Sequence, residues 1–107
     1  MCTSKQPKVA VVMGSDSDFP ITKGCIKLLK EFNIETEVIV CSAHRTPDKA
    51  ADFARNAEKN GIDIIIAAAG KAAHLPGVLA AYTPLPVIGI PIKSSTMDGL
   101  DSLFSIV

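Results

Sequence analysis

The sequence predicts an α/β fold built on a parallel sheet with helices on both faces. Three observations carry that prediction. Short β-branched runs alternate with helix-like segments four times, with almost no linker between them. One run, Ile62 to Ala69, is apolar nearly throughout, as expected of a central strand covered on both faces. The residues between segments, among them Gly14, Asn33, Pro47 and Gly61, are of the kinds that start and stop helices and strands. Crossovers between parallel strands are right-handed. A three-layer, flavodoxin-like or Rossmann-like sheet of order 2-1-3-4 follows, with the first and third strands at its centre.

Taken in order, residues 1–7 are expected to form a flexible lead into a single α/β domain over 8–107. Lys8 to Met13 (KVAVVM) reads as the first strand, ended by Gly14. Pro20 to Phe32 reads as a helix with Ile21, Cys25, Leu28 and Phe32 at helical spacing and Asn33 as its C-cap. Glu35 to Cys41 is the second strand. Pro47 to Asn60 is the second helix, with Thr46 at the N-cap, Pro47 in the first turn and Gly61 just past the end. After the central strand, Leu75 to Tyr82 forms a short third helix and Pro86 to Ile90 the fourth strand. A fourth helix begins near Asp98, with Leu100, Leu103, Phe104 and Val107 on one side.

Composition narrows the functional classes. The chain has 107 residues, enough for one domain, and its 11 basic and 11 acidic residues cancel. That balance gives no reason to expect nucleic acid or an anionic membrane as partner. The longest apolar run is strand-sized, so no membrane span is expected. Cys2, Cys25 and Cys41 are odd in number, widely spaced and without a C-x-x-C pair, which argues against a disulfide framework or zinc site and for the cytoplasm. Two histidines with no nearby carboxylate pair define no metal site. There is no G-x-S-x-G elbow for a serine hydrolase. The strand-to-helix loops also lack the aromatic residues that stack on a flavin.

In a sheet of this kind every strand-to-helix loop lies along one edge, where ligands bind. Four loops become neighbours there: Gly14 to Asp18 (GSDSD), Ser42 to Arg45 (SAHR), Gly70 to His74 (GKAAH) and Pro91 to Thr96 (PIKSST). Both histidines fall among them, with a concentration of hydroxyls, glycines and cations. GSDSD offers backbone N–H groups and a helix N-terminus to a phosphate, with Asp18 able to accept ribose hydroxyls; Ser17 or Asp18 capping the next helix is the plainer alternative. In SAHRTP, Thr46 and Pro47 already start the helix, which leaves His44 for proton transfer and Arg45 for a forked phosphate contact. A histidine tied to backbone and a solvated arginine is the alternative there. Gly70 allows close approach of a ligand, and the small residues around it leave room for a flat ring. Lys71 points at an anion or at water, and His74 acts as a site residue or as a loop-fixing one.

With these loops assembled, VVMGSDSD, VCSAHRTPD, AGKAAHLPG, LPVIGIPIKSS and GLDSLFSIV resemble, in order and spacing, the phosphoribosylaminoimidazole carboxylase catalytic subunit family. The resemblance runs from about Lys8 onward. It implies the fold above and the activity of the family's bacterial form, N5-carboxyaminoimidazole ribonucleotide mutase, in de novo purine synthesis. It implies no cofactor and no metal, with carbon dioxide released and recaptured in the pocket. By this resemblance Ser15 and Asp18 contact the phosphoribosyl part, Arg45 the phosphate, and His44 shuttles the proton that leaves C4. Ser17, Ser42, Ala43, Gly70 and the backbone near Lys71 line the site, with His74 and Leu75 close by. A homo-octamer with sites at subunit junctions is also implied.

The sequence departs from the family in two ways. Ala68 and Lys71 stand where the bacterial pattern has glycines. The family also continues beyond the equivalent of Val107 through a Met-Pro loop, a final strand and a long C-terminal helix, so these are expected to be missing here and the chain to be the N-terminal two-thirds of the domain. Two alternatives to the mutase stay open: direct carboxylation of aminoimidazole ribonucleotide, and a non-catalytic nucleotide-binding or oligomerisation remnant. Arg45-Thr46-Pro47 and Ala72 to Gly77 favour the mutase over the animal-type carboxylase.

Overall fold

The structure, a computed structural model, describes residues 6–70 and 74–92. The elements run β1 (Lys8–Met13), α1 (Phe19–Glu31), β2 (Glu35–Val40), α2 (Pro47–Ala57), β3 (Ile64–Gly70), α3 (Leu75–Tyr82) and β4 (Val87–Ile92), with a 3-10 turn at Asp16–Asp18. The strands pair in parallel in the order β2-β1-β3-β4, as the sequence predicts. The expected fourth helix and the Lys93–Thr96 loop lie outside the described residues.

Alternation along the two central strands builds a core on each face of the sheet. Val9, Val11 and Met13 of β1 and Ile66 of β3 face α1 and meet Ile26, with Cys25 and Leu29 packed alongside. Ala10, Val12, Ile65, Ala67 and Ala69 face the other way and meet Ala50, Ala54 and Ala57 of α2 and Leu75 and Leu79 of α3. The buried face of α2 is thus largely alanine, which lets its backbone approach the sheet closely. Ile65 is completely buried, worth about 1.5–3 kcal/mol relative to an exposed side chain. A bulky residue at Ala54, which is also fully buried, would overpack this layer at a cost of about 1–3 kcal/mol.

Three local expectations are corrected. The apolar stripe expected on α1 is not the one that packs: Ile21, Leu28 and Phe32 are 57%, 53% and 70% exposed. The sheet is met instead by Thr22, Ile26 and Leu29, with Cys25 half-buried between the two stripes. Thr22 tolerates burial because its hydroxyl donates to the Phe19 carbonyl at 3.2 Å. The central strand starts at Ile64, since Asp63 turns its carboxylate to accept the Lys8 N–H at 2.9 Å. At the edge of the sheet β4 continues through Pro91 to Ile92, because an edge strand needs its N–H groups on one side only.

The expected helix ends are present. Asn33 (φ 61°) and Gly61 (φ 86°) adopt the left-handed conformation just beyond α1 and α2. Ile34 N–H donates to Leu29 O at 3.0 Å and Ile62 N–H to Ala57 O at 3.1 Å, closing each helix. The second helix ends as such at Ala57, and the residues up to Gly61 form this closing turn. Ahead of β1, the Gln6 side chain donates to Asn33 O at 2.8 Å and Pro7 O accepts from Glu35 N–H at 2.9 Å.

Candidate functional site

Because all four strands are parallel, they finish along one edge, and hydrogen bonds between them bring the loops together. Cys41 N–H donates to Met13 O at 2.9 Å, and Gly14 N–H to Ala68 O at 3.2 Å. Between the first two loops lies an open cleft of about 740 Å³. Gly14, Ser15 and Asp16 form one wall, Cys41 and Ser42 the floor side, and Arg45, Thr46 and Lys49 the other wall.

The first loop turns on Ser15. Its hydroxyl accepts the Ser17 N–H at 3.2 Å and lies 2.9 Å from the Ser17 hydroxyl. Asp18 then occupies the N-cap of α1 but makes no side-chain capping bond, so the plain capping alternative does not hold for it. Burial pushes the Asp18 carboxyl above its ordinary value, opposed by a hydrogen bond from the Ser15 backbone.

The second loop is a clasp. Thr46 Oγ1 accepts the Ser42 N–H at 3.1 Å and donates to Ser42 O at 2.9 Å. In return Ser42 Oγ accepts the N–H groups of His44 at 3.2 Å and Arg45 at 3.1 Å. The sequence expectation that Thr46 caps α2 is therefore half met: Thr46 stands at the N-cap, yet its hydroxyl is bound to the loop and makes no capping bond. The two hydroxyls fix the backbone that carries His44 and Arg45. Arg45 lines the cleft, and the ring of His44 lies against that of His74, with centroids 5.3 Å apart and planes at 62°.

The remaining predicted positions divide. Ala43 and His74 line a second groove, of about 590 Å³, between α2 and α3. Gly70 ends β3, and a Cβ there would meet the Ile92 side chain at an ordinary 3.5 Å, so no described neighbour demands glycine. Leu75 is 2% exposed and belongs to the core beneath α3, so its side chain supports the site from below. Lys71 lies outside the described residues.

Sequence reasoning missed Asp16, Cys41 and Lys49 among the cleft residues. Lys49 had a readable signal: it follows Arg45 by four positions, which puts two cations on one side of a helix start. Its ammonium donates to Val40 O at 3.1 Å, across the mouth of β2. Burial raises the Cys41 thiol, the Lys49 charge opposing it, so Cys41 stays a thiol at neutral pH and is not a ready nucleophile. Chemically, the cleft offers two cations, hydroxyls and helix N-termini to an anion, with an imidazole pair beside it. Among the described residues no group of three or more His, Cys, Asp or Glu side chains is arranged to hold a metal ion. Nor is any helix among them long and apolar enough to cross a membrane.

A family model described as AIR carboxylase matches residues 8–107. The chain belongs to the AIR carboxylase family. It is 58% identical over 101 residues to a Thermotoga maritima protein named N5-carboxyaminoimidazole ribonucleotide mutase, an alignment covering 94% of this chain and 59% of that one. A Pyrococcus abyssi protein of the same name is 59% identical over 101 residues, covering 94% of this chain and 58% of the other. An Ogataea methanolica protein named phosphoribosylaminoimidazole carboxylase is 58% identical over 105 residues, covering 98% of this chain and 19% of its relative. The crystal structure of Treponema denticola PurE superposes with a TM-score of 0.81 at 28% identity, covering 94% of this chain and 63% of that one. The chain thus spans less than two thirds of the length of these relatives.

Proposed function

We propose that this chain carries the nucleotide site of an N5-carboxyaminoimidazole ribonucleotide mutase, the isomerase that forms 4-carboxyaminoimidazole ribonucleotide in purine biosynthesis. The observation that carries the reading is the clasped loop, which presents a base and a phosphate-binding cation side by side at an anion-seeking cleft. The names of relatives 58% and 59% identical support it.

In this reading Arg45 forks onto the phosphate, with Lys49 adding positive charge, while Ser15, Ser17 and Asp18 take the phosphoribosyl group. Ser42, Ala43, Gly70, Lys71, His74 and Leu75 surround the ring, Leu75 from below. The bond between carboxyl carbon and exocyclic nitrogen breaks, and the nitrogen gains a proton as carbon dioxide leaves. C4 then attacks the carbon dioxide, a carbon–carbon bond forms, and C4 gives up its proton. The two proton movements balance, so one base near neutral pH, His44, serves both. Recapture needs a closed pocket that keeps water out. Assembly as a homo-oligomer, an octamer in the full-length family, would supply that closure, and the cytoplasm is the expected location.

Turnover of N5-carboxyaminoimidazole ribonucleotide by the 107-residue chain tests the proposal. A second reading, direct carboxylation of aminoimidazole ribonucleotide, is favoured by the carboxylase name of a relative 58% identical. Product from aminoimidazole ribonucleotide and bicarbonate, with none from the N5-carboxy compound, would select it. Nucleotide binding without product from either substrate would leave only a binding role.

A further inference from the structure

We infer that Thr46 is a positioning residue: its side chain fixes Ser42, and through Ser42 the backbone that presents the proposed base and phosphate cation. This rests on the reading of His44 as the proton shuttle and Arg45 as the phosphate contact. Thr46 stands at the N-cap of α2, where a threonine hydroxyl ordinarily accepts an N–H of its own helix, yet it makes no such bond. Its hydroxyl turns back onto a single residue of the preceding loop. It accepts the Ser42 N–H at 3.1 Å and donates to the Ser42 carbonyl at 2.9 Å. That carbonyl also accepts the Thr46 N–H at 2.9 Å.

Ser42 passes that restraint on. Its Oγ accepts the backbone N–H of His44 at 3.2 Å and of Arg45 at 3.1 Å, so one oxygen sets the spacing of the two residues. The Thr46 carbonyl meanwhile accepts the Ala50 N–H at 3.1 Å, which ties the same threonine into the first turn of α2. Ala50 is fully buried in the core against the sheet. A helix anchored in the core thus holds Thr46, Thr46 holds Ser42, and Ser42 holds the loop. This path runs through backbone and hydroxyl groups, whatever contacts the His44 and Arg45 side chains make in addition.

The clasp lies within reach of water, since Ser42 is half-buried and Thr46 exposed. Solvent can replace the two bonds when the hydroxyl is removed, so their net contribution to stability is small. Solvent cannot replace the geometry they impose. A misplacement of about 1 Å by a group remote from the chemistry can cost about a hundredfold in rate. Thr46 also borders the cleft, but its one hydroxyl proton is committed to the Ser42 carbonyl, which leaves none to give a ligand. Its effect is therefore exerted through Ser42 and not on the substrate.

The test uses the full chain, labelled with ¹⁵N. Thr46→Val keeps the branched shape and removes the hydroxyl; Thr46→Ser keeps the hydroxyl. In Thr46→Val the His44 and Arg45 amide resonances should move and exchange faster with solvent, while the thermal midpoint changes little. Its kcat for the N5-carboxy substrate should fall by about tenfold to a hundredfold. Thr46→Ser should recover most of that loss. Because Thr46 acts through Ser42, Ser42→Ala combined with Thr46→Val should be no slower than Ser42→Ala alone. Where valine prevents folding, Thr46→Ala takes its place. His44 and Arg45 amides unaltered by loss of the hydroxyl would overturn the proposal, as would a serine variant as slow as the valine one, or losses that multiply in the double variant. Should the unsubstituted chain convert no substrate, the functional reading fails separately, and the amide spectra alone decide whether Thr46 holds the loop.

Discussion

At the edge where the strands begin, α1 and α2 finish in closed turns; at the edge where the strands end, the helices start without side-chain caps. Asn33 and Gly61 close α1 and α2 with left-handed residues, and Asp63 and Gln6 tie adjacent backbone groups down. On the opposite edge Asp18, Thr46 and His74 stand at three N-caps, and none of their side chains makes a capping bond. The contrast is informative because a helix leaves unpaired N–H groups and a partial positive charge at its N-terminus. One edge uses side chains to complete the fold, whereas the other leaves the starts of α2 and α3 without side-chain caps and enters α1 through a 3-10 turn whose Phe19 N–H donates to Asp16 O. Stability and chemistry should therefore be separable by edge.

The largest effect expected at the open edge is that of His44→Asn. It should lower kcat for the carboxyl shift by about a thousandfold while the thermal midpoint and nucleotide binding stay close to normal. A near-normal rate would remove His44 from its role. Arg45→Ala comes next, weakening nucleotide affinity by about tenfold to a hundredfold through loss of a charge-assisted phosphate contact. Isothermal titration would measure this, and an unchanged affinity would place the phosphate elsewhere. Gly61→Ala probes the closed edge. With φ at 86°, a side chain there is strained and should cost about 1–2 kcal/mol in urea unfolding, with no change in nucleotide affinity.

The smallest expected effect joins the two edges' properties at one residue. Burial raises the Asp18 carboxyl, so the folded chain holds that proton more tightly than the unfolded chain does. Stability therefore declines as pH rises through the carboxylate range, from the ordinary value to the raised one. Asp18→Asn should lack that decline, melting slightly higher than the parent at neutral pH while binding the nucleotide less well. Parallel stability–pH curves for the two proteins would show that the carboxyl carries no such penalty.

Much of this was legible in the residues. A β-branched run stopped by a glycine gives Lys8–Met13, and a short apolar segment opened by proline gives Leu75–Tyr82, both with the expected limits. The loop cluster follows from parallel topology alone, and with it the neighbourhood of His44 and Arg45. What escaped depended on tertiary choice. The first helix carries two apolar stripes at the same period, and only packing against Val11 and Met13 selects the one containing Ile26. Thr46 has two hydrogen-bonding options, its own helix or Ser42, and the loop's path decides between them. Leu75 shares a motif with site residues, yet its side chain turns into the core because α3 needs an anchor there.

The strand order has a consequence for how the chain is made. β1 is made before the other three strands, yet it is a central strand, and Lys8 meets its partner Asp63 55 residues later. At about 5–20 residues per second, roughly 3–11 s of translation pass before that far side can pair. During this interval a nascent Val-Ala-Val-Val-Met strand offers an open, apolar edge. Anything that lengthens the pause, such as slow codons between β2 and β3, should raise the demand for a chaperone on the growing chain.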